Sequence, residues 1–146
     1  MKYFPHFLLG AYLILFTWAG WHPYARNVWY AENGPIVFLA LSLVVLWVRG
    51  VRFSNTAYLL MSVLLFMHTI GGHYTFANVP FDTVTRFFGW ERNNYDRIAH
   101  TTVGFYAYPI AEFLQSKGLV KNRWMAVLFG LFAIMSIAAA YEIFEW

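Results

Sequence analysis

Ser54-Asn55-Thr-Ala-Tyr-Leu-Leu-Met-Ser-Val-Leu-Leu-Phe-Met-His68-Thr-Ile-Gly71-Gly72-His73 is the stretch on which the reading of this chain turns. From Asn55 to Gly71 it holds no Asp, Glu, Lys or Arg, and Ser54 or Asn55 offers a capping oxygen at its start. An apolar run of this length approaches the ~20 residues that cross a bilayer. It ends on two imidazoles around a glycine pair. Ionisable side chains are costly in hydrocarbon, so their gathering at one end of such a run calls for an explanation.

The same character extends along the chain. Of 146 residues, 60% are hydrophobic, 22% aromatic and only 12% charged, where a soluble domain carries roughly 25% charged residues. The composition predicts an all-α polytopic transmembrane bundle, a single domain over 1–146, with five spans near 4–21, 34–48, 55–71, 95–115 and 122–146. Pro35 is expected near the start of the second span, where proline is tolerated. Pro109 is expected to kink the fourth. Small residues (Gly130, Ser136, Ala138, Ala139, Ala140) suit the fifth to close helix approach. Between Tyr74 and Asn94, Asp82 is expected to cap a short amphipathic helix carrying Phe81, Val84, Phe88 and Trp90 at the headgroup level. The first apolar run is followed by Trp21-His22-Pro23 rather than a small-residue cleavage site, so it reads as a retained helix.

A net charge of +3, with the basic residues scattered between apolar runs, gives no nucleic-acid footprint. The absence of cysteine excludes disulfides, thiolate metal ligands and Cys nucleophiles. With the N-terminus cytoplasmic, the inner side holds Lys2, Arg49, Arg52, Lys117, Lys121 and Arg123, against Arg26, Arg86, Arg92 and Arg97 outside. This asymmetry of basic residues favours the N-inside orientation.

That topology gathers six residues at one, extracytoplasmic, edge. His68 and His73 close the third span, Asp96 and His100 open the fourth, and Glu142 and Glu145 close the fifth. Glu142 lies 19 residues beyond Arg123, ~28 Å of helical rise. Asp96 and His100 share a helix face at i, i+4, a spacing that binds metal or orients a general base; the alternative is a capped helix start. Glu142 and Glu145 also share a face and can chelate a cation, share a proton or pair with Arg. His68 and His73 diverge by ~500° of helical turn, and Gly71-Gly72 are expected to break the helix and swing His73 back. Glu112 is expected to be a packing or inner-interface carboxylate paired with Lys or Arg. His6 and His22 read as interfacial. Thr69, Thr101 and Thr102 lie near the edge, with nothing to mark any of them as an activated nucleophile.

Three motifs also carry a family resemblance. His68-Thr-Ile-Gly-Gly-His73-Tyr-Thr-Phe76, Asn94-Tyr-Asp96-Arg97-Ile-Ala-His100 and Tyr141-Glu142-Ile-Phe-Glu145-Trp146 together resemble the YjdF (DUF2238) family of bacterial inner-membrane proteins over essentially the whole chain. The Asp-Arg-x-x-His opening followed by a later Glu is more weakly similar to VanZ-like membrane proteins. The resemblance implies a multi-pass inner-membrane protein and carries no activity with it. It also implies a further acidic stretch and a sixth helix after Glu-Trp, so a chain stopping at Trp146 is expected to be C-terminally truncated.

The expectation from these residues is a hydrolase or transferase acting at the outer face on a membrane lipid or lipid-linked substrate. The catalytic set would be Asp96, His100, Glu142 and Glu145. A divalent metal (Zn, Mn or Fe) would be held by His68, His73, His100, Glu142 and Glu145. Arg92 and Arg97 would meet a substrate phosphate. Two alternatives stay open: a non-catalytic envelope or assembly protein whose polar cluster locks helices together, and an ion or proton transporter. The transporter would need a polar path, and only Glu112 breaks the apolar spans at depth.

Overall fold

The computed structural model describes residues 3–145, the side chains of Glu142, Phe144 and Glu145 excepted. Its order is α1 (Phe4–Trp21), α2 (Arg26–Val48), α3 (Asn55–His73), α4 (Asp82–Phe87), α5 (Tyr95–Thr101), a 3-10 segment (Thr102–Tyr106), α6 (Ala107–Ser116) and α7 (Arg123–Glu145). Four of these, α1, α2, α3 and α7, are long and apolar enough to cross a membrane. Their outward faces carry Phe7, Ile14, Phe38, Val48, Trp124, Phe132 and Met135, all exposed. Such a surface is stable against lipid.

α3 is the axis of the bundle. Half of it (50%) is buried, against 11% of α1 or α2. α1 runs parallel to it, with the Tyr12 and Thr69 hydroxyls 3.3 Å apart. α2 runs antiparallel, and Arg26 joins the two by donating to the Gly20 and Trp21 carbonyls. A cation on the terminal carbonyls of α1 suits the negative end of its dipole.

α2 begins at Arg26, not near Gly34, and passes straight through Pro35. Proline removes one intrahelical bond and crowds the carbonyl four residues back. Tertiary packing outweighs that loss: Trp29, Asn33 and Ile36 are all buried around the proline. The extra turns bring Glu32 into the bundle.

The fourth expected span is three pieces. Pro109 has no N–H for the Phe105 carbonyl, and the 3-10 segment lies in the turn before it. The composite still runs antiparallel to α3 along its length. The Tyr95 hydroxyl donates to the Met67 carbonyl (2.8 Å), the Tyr106 hydroxyl to the Met61 carbonyl (3.1 Å), and the Ser54 amide to Glu112 Oε1 (2.7 Å). α7 packs on α6 and the 3-10 segment. Gly130 permits this contact, since a Cβ there would collide with the Ala107 carbonyl.

Among the described residues Glu112 therefore pairs with no Lys or Arg. Both its oxygens accept from Ser54, whose hydroxyl also accepts from the Ala57 amide. A carboxylate at the N-terminus of α3 satisfies free donors and the helix dipole together. α4 forms as expected and leaves Phe87 and Phe88 exposed. Asp82 is its first residue rather than a side-chain cap.

Candidate functional site

α3 continues through Gly71 and Gly72 to His73. The glycines do not break it; they admit neighbours. A Cβ at Gly71 would strike the Phe76 ring, and one at Gly72 would strike the Asn33 amide. The chain reverses immediately afterwards through Thr75 and Phe76, at φ 54° and 55°. Left-handed backbone at non-glycine residues, one of them β-branched, stores of order 1–3 kcal/mol each and persists only where packing enforces it. Phe76 is buried over α3 against Tyr95 and Ala99. Asn93 anchors the turn by donating to the Ala77 and Val79 carbonyls.

Beneath Phe76 lies His68. Its ring meets Phe76 edge-on at 5.0 Å and the His100 ring at 5.9 Å between centroids. Nε2 is 3.2 Å from Glu32 Oε2, with the two side chains 9% and 24% exposed. His100 Nε2 is 3.1 Å from Asp96 Oδ1, at 40% and 56% exposed. Two carboxylate–imidazole pairs thus face each other across α3 and α5, one sheltered and one open. With the His68 Nε2 proton directed at Glu32, a neutral ring leaves Nδ1 as a lone pair. Among the described residues that Nδ1 is buried without a hydrogen-bond partner, as is Asn33 Oδ1.

His73 does not join them. Its Nδ1 donates to the Ala19 carbonyl at 2.7 Å and its ring stacks on Trp18 at 4.8 Å. An unbroken helix keeps the angular divergence that five residues impose. Of the expected metal set of His68, His73, His100, Glu142 and Glu145, the structure brings His68 and His100 together and turns His73 to α1. Among the described residues no group of three or more His, Asp or Glu side chains is placed to hold a metal ion. The side chains of Glu142 and Glu145 lie outside the described residues, so their metal-binding and catalytic assignments have no geometry here. Arg92 and Arg97 are exposed near Asp96. Thr69, Thr101 and Thr102 are all engaged, with Tyr12 and the Ile98 and Ala99 carbonyls respectively.

Glu32 is the residue that sequence reasoning missed. Starting the second span at Pro35 left Glu32 in a loop, as one acid among the charges there. The available signal was Trp29, Asn33 and Ile36, at spacings of three and four. These mark a helix face running through the proline.

Comparison with known proteins now adds identity of a general kind. The family described as "Predicted membrane protein (DUF2238)" matches residues 4–146. Inner membrane protein YjdF of Escherichia coli (strain K12) is 28% identical over 139 residues, which cover 91% of this chain and 64% of that protein. The chain thus spans less than two thirds of the length of this relative. No solved structure matches. The four apolar helices and the inner-membrane relative support a multi-pass protein of the bacterial inner membrane.

Proposed function

The chain belongs to the DUF2238 family of membrane proteins, and we propose that its two carboxylate–imidazole pairs make it an acid/base hydrolase or transferase of a lipid or lipid-linked substrate. The observation that carries this reading is the Glu32–His68 pair with an unengaged Nδ1, 5.9 Å from the ring of the Asp96–His100 pair. A carboxylate that orients an imidazole and leaves its other nitrogen free is the arrangement of a general base. His68 is sheltered and His100 partly exposed; the reading gives proton abstraction to one ring and proton delivery to the other. Arg97, next to Asp96 in α5, and Arg92, in the exposed loop before it, are the residues this reading assigns to a substrate phosphate.

The orientation belongs to the same reading. Five passes with Arg49–Arg52 and Lys117–Arg123 inside put the histidine pairs at the outer face. With no native cysteine, single cysteines report cleanly. Asn55→Cys should be shielded from an impermeant maleimide added outside, and Thr83→Cys should be labelled. The reverse pattern inverts the topology.

The activity is tested with the full chain reconstituted in vesicles of bacterial polar lipid supplemented with lipid-linked saccharide. Mass spectrometry should show one species converted by the native chain and not by His68→Ala or His100→Ala. Unchanged lipids with the native chain would overturn the reading. A second reading has its own support: His68 ties α3 to α2, and His73 ties α3 to α1. On that reading the cluster is a lock for an assembly protein. Variants of His68 and His100 would then lose thermal stability together, with no lipid converted.

A further inference from the structure

Away from the histidine pairs, α1 and α2 part company over the N-terminal half of α3. They touch at one level where Phe16 meets Trp29 (5.4 Å between centroids), and at another where His6 sits edge-on to Trp47 (5.1 Å). Between these contacts is a half-open crevice of about 120 Å³, walled by Leu9, Tyr12, Leu43, Trp47, Tyr58 and Leu65. An apolar void does not hold water. In a bilayer the filler at hand is hydrocarbon.

The end of the crevice is basic. The Arg52 guanidinium lies 3.8 Å from the centre of the Trp47 ring. Its Nη1 donates to the Trp47 and Val51 carbonyls, which leaves Nε and Nη2 unpartnered among the described residues. Arg49 ends α2 beside it. The loops at this end also hold Lys117, Lys121 and Arg123. Glu112, the described carboxylate at this end, is occupied by Ser54. An anion arriving here meets the free guanidinium edge of Arg52, while the Glu112 oxygens are turned to Ser54.

The geometry points to a binding site for one anionic phospholipid, with an acyl chain in the crevice between α1, α2 and α3 and its phosphate on Arg52 and Arg49. Nε and Nη2 form the guanidinium edge that holds two phosphate oxygens at once. Basic pockets between helices select anionic head groups over zwitterionic ones, whose ammonium meets like charge. This inference is independent of the acid/base chemistry proposed above.

The test uses the delipidated full chain in a non-ionic detergent, with phosphatidylglycerol, phosphatidylethanolamine or inorganic phosphate added. Native mass spectrometry should show a one-to-one adduct with phosphatidylglycerol that survives activation better than the phosphatidylethanolamine adduct, and none with phosphate alone. Arg52→Gln should weaken the phosphatidylglycerol adduct about fivefold, the worth of one basic residue at an anionic lipid. The phosphatidylethanolamine adduct, already weakened by its ammonium, should change less. Leu43→Trp, which fills the crevice, should remove the adduct while circular dichroism stays native; Ser62→Met serves the same purpose if that variant misfolds. Equal retention of the two lipids, a phosphatidylglycerol adduct indifferent to Arg52→Gln and to filling, or binding of phosphate alone would each overturn the proposal.

Discussion

At its N-terminal end α3 meets Glu112 on α6; at its C-terminal end it meets Glu32 on α2. Both are carboxylates drawn to the same helix, and they are used differently. Both Glu112 oxygens accept from Ser54, and the Ser54 hydroxyl accepts in turn from the Ala57 amide, so that junction is closed. At the other end Glu32 engages one nitrogen of His68, while the second nitrogen and Asn33 Oδ1 are buried without partners among the described residues. An orphaned buried polar group costs of order 1–3 kcal/mol. A helix whose groups are satisfied at one end and left open at the other, beside a strained turn, separates a structural junction from the place where the proposed chemistry would sit.

The sharpest way to break this contrast is at the open end. His100→Ala should lower lipid turnover by about 10²–10⁴-fold, the usual worth of a positioned acid or base. Its melting temperature should stay near native, as for a partly exposed side chain away from the core. A large fall in melting temperature instead would make the C-terminal end structural too. Gly72→Ala comes next. Helix propensity alone predicts a gain of ~1 kcal/mol, whereas the collision with Asn33 predicts a loss of ~1–3 kcal/mol from overpacking. The sign of the change, read from thermal unfolding in detergent, decides between them. Turnover should fall as well, because Glu32 Cβ, 3.3 Å from the added carbon, lies beside the displaced Asn33 amide.

At the closed end, Glu112→Ala should cost ~0.5–2 kcal/mol, as the loss of a capping interaction does. Turnover by the folded fraction should be unaffected. Loss of activity at equal folded content would show that the two ends are coupled. The smallest effect is expected at His73→Phe. The stacking on Trp18 is retained and one hydrogen bond to the Ala19 carbonyl is lost, for ~0.5–1.5 kcal/mol. Activity should persist, since His73 faces α1 and not His100.

Most of the fold was legible because bilayer crossing leaves a simple signature. Long apolar runs, basic asymmetry and aromatic ends located α1, α3 and α7 nearly to the residue. Two of the errors fell at residues whose intrinsic tendencies were overruled by neighbours. Pro35 ought to start a helix, and Trp29 and Ile36 carry the helix through it. Gly71-Gly72 ought to end one, and Phe76 and Asn33 use the space they leave. Of the site, Asp96 and His100 were readable because an i, i+4 pair is a local pattern. Their approach to His68 followed from matched depth alone. The Trp29, Asn33 and Ile36 spacing puts Glu32 on a helix, but its pairing with His68 and the divergence of His73 depend on which faces of α1 and α2 meet α3, and no single-helix pattern contains that information.

The central place of α3 also bears on the order of biogenesis. A chain synthesised from its N-terminus delivers α1 and α2 before the helix that both of them pack against. For that interval the Tyr12 hydroxyl has no Thr69 and Glu32 has no His68. Both α1 and α2 must therefore persist in the bilayer with their eventual inner faces turned to lipid. Their low burial in the finished bundle, 11% each, means little of either helix has to wait for α3. The acid that does wait lies two turns from the start of α2, within reach of the interface. The arrival of α3 is then the step that draws Glu32 inward and creates the site.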